Sequence, residues 1–383
     1  MVTALPGPAG PPDHTAGVRI TRFYGPRGSA VHMALAEGDP ARPLPANGGL
    51  RVTRRRLTES AARGLTGRLA AEMLLKHRLH RTGFWGAKIV VDGVDAVGDD
   101  LLALVAEVLN SCEGAVYTGA DMGVDAADME RLAQLTPYVL NAVGSRAEPQ
   151  AATAHGVLGA ITAWAGGSPQ GLRVLVHGAG KVGGALAREL VAAGATVLTC
   201  DRDASAADIP GCRPVPDWAA HSVDVLAPCS VSDLLGPPAA ERLRCGAVIG
   251  SANAVLSDER VTAAVLARRG ITFLPTALTN AGAVIVDSVE HYSPHAFRAA
   301  APEDLYAFVR TTVHAAAAAH LGSVASPSRA PGVLPPPAEE FCGLRFAAGG
   351  PAAAGPAGPR RGGTAEQGPG AGSGPAEVGT PAA

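Results

Sequence analysis

The chain has 383 residues and a formal charge of −2, from 32 Lys and Arg against 34 Asp and Glu, a length that points to about two domains at roughly 100–200 residues each. Charged residues are 17% of the chain, while Gly (48) and Pro (31) are abundant, so part of it is expected not to fold. No apolar run is long enough for a membrane span, no charged start leads into an apolar stretch, and the six cysteines make no C-x-x-C pair; this argues against a membrane protein, a secretory leader, a zinc site and a disulfide framework, and for a cytoplasmic protein.

Residues 1–17, rich in Pro, Gly and Ala, are expected to be disordered. An α/β domain is expected over 18–145, opening on strand-like runs at 18–24 and 30–34. A helix follows from about Thr58 to His80, then a strand from Lys88 to Asp92. The stretch 51–88 carries ten Lys and Arg against Glu59 and Glu72. No aromatic residues interleave with these arginines as base-stacking platforms would, so it reads as a solvated helix face and no nucleic acid partner is expected.

Of the 32 basic residues 29 are Arg, and the three Lys are Lys76, Lys88 and Lys181. Leu65, Leu69, Met73 and Lys76 are spaced to share one helix face, so this Lys must either snorkel to solvent or end in an enclosed site with an anionic partner. Lys88 opens an apolar strand after Gly83-Phe-Trp-Gly-Ala. An ammonium desolvated there, near a second cation, has a lowered pKa suited to a general base. Paired lysines imply one that holds an anionic group and one that moves a proton. Asp121 stands just past a short strand and ahead of a helix starting near Asp125, where by itself it reads as a turn or capping carboxylate.

From 146 to 290 the chain alternates apolar strands, at 172–177, 195–200, 223–227, 247–250 and 271–274, with helical patterns, the signature of a doubly wound parallel sheet. Its first β-α turn carries Gly178, Gly180 and Gly183 as G-x-G-x-x-G, with Lys181 and Val182 inside the loop and Asp201 ending the next strand. These glycines permit a tight turn and close approach to a pyrophosphate, the helix N-terminus supplies free N–H donors, and Asp201 can accept from ribose hydroxyls while repelling a 2′-phosphate. The expected cofactor is NAD rather than NADP, and no metal is expected. A helical segment over 291–321 returns toward the cleft, and the Pro/Gly/Ala-rich tail 322–383 is expected to be disordered.

Taken in order, these blocks resemble the Glu/Leu/Phe/Val dehydrogenase family, in the pattern of its leucine, phenylalanine and valine members, from about Val18 to Tyr292. They are Pro45-Ala-Asn-Gly-Gly-Leu-Arg51, Met73-Leu-Leu-Lys76 with Lys88 twelve residues on, Tyr117-Thr-Gly-Ala-Asp121-Met-Gly and Thr153-Ala-His-Gly-Val. The coenzyme half continues with His177-Gly-Ala-Gly-Lys-Val-Gly183, Ala227-Pro-Cys-Ser230, Gly250-Ser-Ala-Asn253 and the block from Asn280 to Glu290. The resemblance implies an N-terminal substrate and oligomerisation domain, a Rossmann-type NAD domain, a homo-oligomer, and reversible NAD-dependent deamination of an L-amino acid to its 2-oxo acid and ammonia. It implies that Lys76 binds the substrate carboxylate with the backbone at Gly49 and with Asn280. Lys88 is the base that activates water, Asp121 serves the amine nitrogen, and Asn47, Gly86 and Thr153 complete the substrate pocket. Gly178, Gly180, Lys181, Val182, Gly183, Asp201, Ala227, Pro228, Cys229, Ser251 and Asn253 are implied to hold the dinucleotide.

Several positions depart from the family pattern. Trp85 stands where members have Gly, Asn47 where they have Leu or Lys, and Ala254 and Val255 where they have Asn and Gln. A polar or unusual side-chain pocket is the corresponding expectation. A diverged NAD-binding paralogue with a regulatory or structural role is the alternative from another class, and a Rossmann oxidoreductase of other specificity accounts for the glycine loop without accounting for the paired lysines.

Overall fold

A computed structural model describes residues 17–25, 29–36, 44–143, 145–324 and 346. The first half is a five-stranded mixed sheet. β1 (Val18–Tyr24) and β2 (Ala30–Ala36) form an antiparallel pair, followed by β3 (Ala46–Thr53), α1 (Glu59–His80), β4 (Trp85–Asp92), α2 (Asp99–Asn110), β5 (Val116–Ala120) and α3 (Ala126–Ala133). The strand order is β1-β2-β4-β3-β5, with β3 parallel to both of its neighbours.

The Asn-Gly-Gly run, turn-forming in composition, lies inside β3, a central strand. Glycine is a poor strand former, but here ladders on both edges hold it, Asn47 opposite Gly86 on one side and Tyr117 on the other. Bare backbone is needed there because a Cβ on Gly48 would sit 1.8 Å from Ala87 O. Similarly, a Cβ on Gly86 would sit 2.3 Å from Ala70 O, so this glycine lets α1 lie directly on β4. Thr58 caps α1, accepting from Ala61 N at 3.2 Å, and Arg81 ends it in the left-handed region at φ 53°. Alternation along β4 turns Trp85, Ala87 and Ile89 to the opposite face. There they pack with Leu102 and Leu109 of α2, so the indole sits in the core of this half and not among the cavity-lining side chains.

The second half begins with α4 (Pro149–Trp164) and continues as β6 (Arg173–His177), α5 (Lys181–Ala192), β7 (Thr196–Cys200), α6 (Ala204–Ala207), β8 (Cys212–Pro214), β9 (Val225–Pro228), α7 (Pro237–Arg242), β10 (Ala247–Val248), α8 (Glu259–Arg268) and β11 (Thr272–Phe273). All six strands are parallel, in the order β11-β10-β9-β6-β7-β8. The expected doubly wound sheet is therefore present, with β8 as an edge strand that periodicity did not reveal. The direction of winding reverses between β6 and β9, which opens a crevice at their C-terminal ends. Apolar side chains of the strands meet α4, α5 and later helices on one face and α7 and α8 on the other.

The chain closes with α9 (Thr276–Thr279), α10 (Gly282–Tyr292), α11 (Pro294–Ala299) and α12 (Pro302–Val324). α12 packs along α4, and a Cβ on Gly159 would sit 2.3 Å from Arg310 O, a close helix crossing that only glycine allows. This helix runs past the boundary expected at 321. Phe346, from the segment expected as a disordered tail, is buried against Phe308 with ring centroids 5.4 Å apart. The remainder of that tail and the residues before Gly17 lie outside the described residues. Among the described residues, no helix is long and apolar enough to cross a membrane, and five cysteines are free.

α10 joins the halves. Ser288 Oγ donates to Thr82 O at 2.7 Å, Asn47 Nδ2 donates to Asp287 Oδ2 at 2.8 Å, and the Tyr292 hydroxyl donates to Gly83 O.

Candidate active site

Lys88, in the middle of β4, and Asp121, one residue past β5, form an ion pair with Nζ and Oδ2 2.5 Å apart. β3 runs between their strands with no side chain in the way. A Cβ on Gly49 would lie 2.9 Å from Lys88 Nζ and 2.8 Å from Asp121 Cβ. Arg51, two residues on and so on the same face of β3, holds the other flank of the carboxylate, Nε to Oδ2 at 2.9 Å and Nη2 to Oδ1 at 3.3 Å. Asp121 is thus a carboxylate bound by two cations. The α3 cap is Asp125, in a reciprocal pair with Asp128.

The electrostatics follow from burial and from these three charges. Burial alone would raise the Asp121 pKa, but the Lys88 and Arg51 cations outweigh it and hold this carboxyl well below the usual range. Burial lowers Lys88, opposed by the Asp121 charge. Lys76 is pushed down to about 8, first by burial and then by Lys88. At neutral pH the cluster therefore holds one firmly ionised carboxylate and two ammonium groups that release protons more readily than a surface Lys.

These groups line a cavity of about 170 Å³. The first sheet contributes Gly49, Arg51, Lys88 and Asp121, and α1 contributes Leu69, Glu72, Met73 and Lys76. The second half contributes Asn253, Asn280, Val284 and Asp287. The helical spacing that put Lys76 on the Leu69 and Met73 face thus leads it into the site. Asn47 is buried beside the cavity. His77 Nε2 bonds its carbonyl at 3.0 Å and His77 Nδ1 meets Thr82 Oγ1 at 2.6 Å. Burial lowers His77 to about 4, so the neutral ring donates through Nε2 and accepts from the threonine hydroxyl. Gly86 lies under α1 and is not on the cavity wall. Thr153, in α4, donates to Pro149 O at 2.9 Å. It lies where α10 crosses α4, since a Cβ on Gly282 would be 2.5 Å from Thr153 N.

The residues expected to hold a dinucleotide gather at the crevice between β6 and β9. Gly178 has φ 93°, and a Cβ there would lie 2.5 Å from Ser230 Cβ; one on Gly183 would lie 1.8 Å from Gly178 O. Both glycines are needed to fold the loop back on itself. Gly180 precedes Lys181 and Val182 in the first turn of α5, and nothing lies within 4 Å of where its Cβ would stand. The open space and the free N–H groups of this turn fit a phosphate. Asp201, after β7, accepts from Ala179 N at 2.7 Å and from Asp203 N at 3.0 Å, each oxygen keeping a lone pair for a further donor. Ala227 and Pro228 end β9, and Cys229 N donates to His177 O at 2.7 Å. Ser251 N donates to Pro228 O at 2.8 Å, while Asn280 Nδ2 donates to Ser251 O at 2.7 Å and to Asn253 Oδ1 at 3.2 Å. Asn280 and Asn253 thus face the lysine cavity while tied to the dinucleotide crevice, so the two sites adjoin. The Lys181 side chain lines a separate cleft between α4, α5 and α12, with His155 and Arg310.

Sequence reasoning assigned no role to Arg51, Glu72 or Asp287. The signal for Arg51 was its even spacing from Gly49 on a strand. For Asp287 it was a carboxylate inside the apolar run from Val284 to Val289.

A profile of the family Glutamate/Leucine/Phenylalanine/Valine dehydrogenase matches residues 203–328. A leucine dehydrogenase of Thermoactinomyces intermedius is 30% identical over 261 residues, covering 63% of this chain and 70% of its own. A phenylalanine dehydrogenase of the same organism is 29% identical over 292 residues, 71% of this chain and 79% of the relative. Among solved structures, L-tryptophan dehydrogenase from Nostoc punctiforme superposes with a TM-score of 0.61 at 24% identity, covering 77% of this chain and 86% of that one. A hetero-hexameric glutamate dehydrogenase from Thermus thermophilus gives 0.64 at 22%, covering 80% and 82%.

Proposed function

Because this chain belongs to the Glutamate/Leucine/Phenylalanine/Valine dehydrogenase family, we propose that it catalyses the NAD-dependent oxidative deamination of an L-amino acid to its 2-oxo acid and ammonia, and the reverse reaction. The observation that carries this reading is the Arg51–Asp121–Lys88 chain of charges beside Lys76, in a cavity that adjoins the glycine-loop crevice.

Bound NAD would supply the hydride acceptor for the hydrogen on Cα, held by Gly178, Gly180 and Gly183 with Asp201 toward the ribose. In this reading Lys76 binds the substrate carboxylate as a cation at the cavity edge, with Asn280 donating from the cofactor side on exchanging its longer bond to Asn253 Oδ1 for the substrate. The substrate nitrogen enters as the neutral amine and lies at Asp121, whose carboxylate accepts its N–H and, remaining ionised, stabilises the positive charge that the nitrogen gains as Cα gives up hydride. Once the imine has formed, the neutral amine of Lys88 takes a proton from water as that oxygen bonds to the imine carbon. The nitrogen then takes that proton from the Lys88 ammonium, the C–N bond breaks to release ammonia, and the hydroxyl gives its own proton to the Lys88 amine, leaving the carbonyl of the 2-oxo acid. Arg51 keeps Asp121 aligned and ionised through its two hydrogen bonds. Lys suits position 88 because a guanidinium does not deprotonate in a protein and would not serve as base.

The test is Lys88→Ala. Absorbance of NADH during L-amino acid oxidation should fall by at least 10³-fold in kcat, consistent with the loss of a general base, while NADH binding followed by fluorescence stays within a factor of about two. Retained turnover sinks the role given to Lys88. The NAD preference supported by Asp201 is checked by repeating the assay with NADP. Self-association of the chain is proposed on the same family ground, and mass photometry checks it.

A further inference from the structure

Three carboxylates line the cavity, and their surroundings differ. Asp121 is held by Lys88 and Arg51. Glu72 lies on α1 four residues from Lys76 and acts electrostatically on both Lys76 and Lys88. Asp287 is buried and makes no ion pair among the described residues. Its hydrogen bond comes from the neutral amide of Asn47. One turn further along α10, Glu290 adds a second negative group, its Oε2 accepting from Ala142 N at 2.9 Å. The Oδ1 of Asn47, fully buried, has no donor. This end of the site is therefore rich in acceptors and lacks a cation, and a buried carboxylate without one is costly. Burial raises the Asp287 pKa well above the usual range, and the nearby Glu290 raises it further, as expected of a carboxyl group that no cation faces.

The register of β3 gives the direction. Gly49 marks the level of the Lys88–Asp121 pair, and Asn47 stands two residues earlier on the same face, on the order of 7 Å away at strand spacing. A substrate whose Cα lies at the ion pair and whose side chain runs toward Asn47 meets Asp287 at its far end. Three or four extended bonds span about 4–5 Å, and a hydrogen bond of about 3 Å completes the distance.

We propose that Asp287 is the specificity-determining residue of this site and that it selects L-amino acids whose side chain ends in an ammonium group three or four bonds beyond Cα, of the 2,4-diaminobutyrate and ornithine kind. The proposal rests on the dehydrogenase reading above. The ligand ammonium pairs with the Asp287 carboxylate and also donates to Asn47 Oδ1, so both unmatched groups are satisfied together. An apolar side chain would leave them unmatched.

Full-length protein is assayed with NAD, and separately with NADP, against L-2,4-diaminobutyrate and L-ornithine, with L-leucine, L-phenylalanine and L-glutamate as competitors. At least one diamino acid should exceed every competitor tenfold or more in kcat/KM. Asp287→Asn, which keeps the shape and removes the charge, should lower that value about 100-fold, mostly through KM, and so bring the diamino-to-leucine ratio of kcat/KM below tenfold. A preference for leucine, phenylalanine or glutamate in the wild type overturns the proposal and leaves the dehydrogenase reading standing. So does an Asp287→Asn variant that keeps the diamino preference. If no amino acid is oxidised with either cofactor, the dehydrogenase reading fails. Calorimetric titration with L-ornithine and L-leucine then decides on Asp287 separately: ornithine binding at least tenfold tighter supports it, and equal or absent binding of the two overturns it. Should Asp287→Asn fail to fold, the wild-type substrate panel and the wild-type titration support or overturn the proposal by the same criteria.

Discussion

Gly49→Ala puts a methyl group where the structure leaves only backbone. Its carbon would stand 2.8 Å from Asp121 Cβ and 2.9 Å from Lys88 Nζ, against a comfortable separation of about 3.5–4.0 Å. The ion pair must therefore retreat by roughly 0.7–1 Å. The Lys88 ammonium end gives way easily, being the tip of a flexible chain, whereas Asp121 is held by Arg51 and by its own N–H on Leu50 O at 3.1 Å. Folding should lose only about 1 kcal/mol, the low end of overpacking costs. The proposed reaction depends on placing these two groups against the substrate Cα, and a misplacement of about 1 Å costs on the order of 100-fold, or roughly 2.7 kcal/mol at 1.36 kcal/mol per tenfold. Steady-state turnover of the best amino acid substrate, read beside thermal melting and NADH binding, separates these effects. The expected result is kcat down about 100-fold with a melting shift of a few degrees and unchanged NADH binding. Gly48→Ala is the contrasting control, because its Cβ would meet the Ala87 carbonyl at 1.8 Å and should break β3 from β4 and lose stability outright. A Gly49→Ala enzyme with more than a third of wild-type kcat would refute the placement of the reacting groups at this glycine.

Lys76 is depressed to about 8, so its ammonium is present below that pH and lost as pH rises through it; KM for the amino acid should climb nearly tenfold per pH unit above about 8, and Lys76→Arg should remove that upturn. Glu290 is raised to about 7 from 4.5, chiefly by burial. Below pH 4.5 both folded and unfolded states are protonated, and between 4.5 and 7 only the unfolded chain ionises. Wild-type stability should therefore fall over that window by roughly 2–3 kcal/mol relative to Glu290→Gln, in chemical denaturation at pH 4.5 and 7.5. Ala254 is held at φ 46°, a left-handed conformation that costs an Ala about 1 kcal/mol; Ala254→Gly should raise the denaturation midpoint, and a lowered midpoint would show that this backbone is not strained.

The parts of the fold legible in the sequence are those where local pattern and tertiary demand agree. The 58–80 helix carries its own Thr58 cap, and the parallel strands of the second half are apolar on both faces, as helices on both sides require. β3 was not legible, because Asn-Gly-Gly has turn chemistry and becomes strand only through pairing with β4 and β5, partners distant in sequence. Lys76, Lys88 and Asp121 were legible as unusual residues in ordered blocks, whereas their mutual distance was not. Arg51 shows the difference: its charge was one of ten basic residues in a stretch read as a solvated face, and only strand alternation beside Gly49 turns it onto Asp121. Phe346 lies in a segment of disordered composition, and its burial depends on the surface that α12 and Ser293 present to it.

The division of charge within the cavity accounts for which cation stands at positions 51 and 88. Position 51 is asked to remain a cation and to fix a carboxylate in two places, which the planar guanidinium does well and an ammonium does with less geometric control. In the proposed reaction position 88 is asked to give its proton up, which only the ammonium does. In a chain with 29 Arg and three Lys, the two types meet on opposite flanks of one carboxylate, with Lys88 Nζ and Arg51 Nε both on Asp121 Oδ2. Exchanging them, with Arg51→Lys and Lys88→Arg in one chain, keeps the net charge and should keep the ion pairs, yet it removes the base. The double variant is therefore expected to fold and to bind NADH while losing turnover as completely as Lys88→Ala. Activity above that of Lys88→Ala would mean that charge at position 88, and not proton release from it, is what the reaction uses.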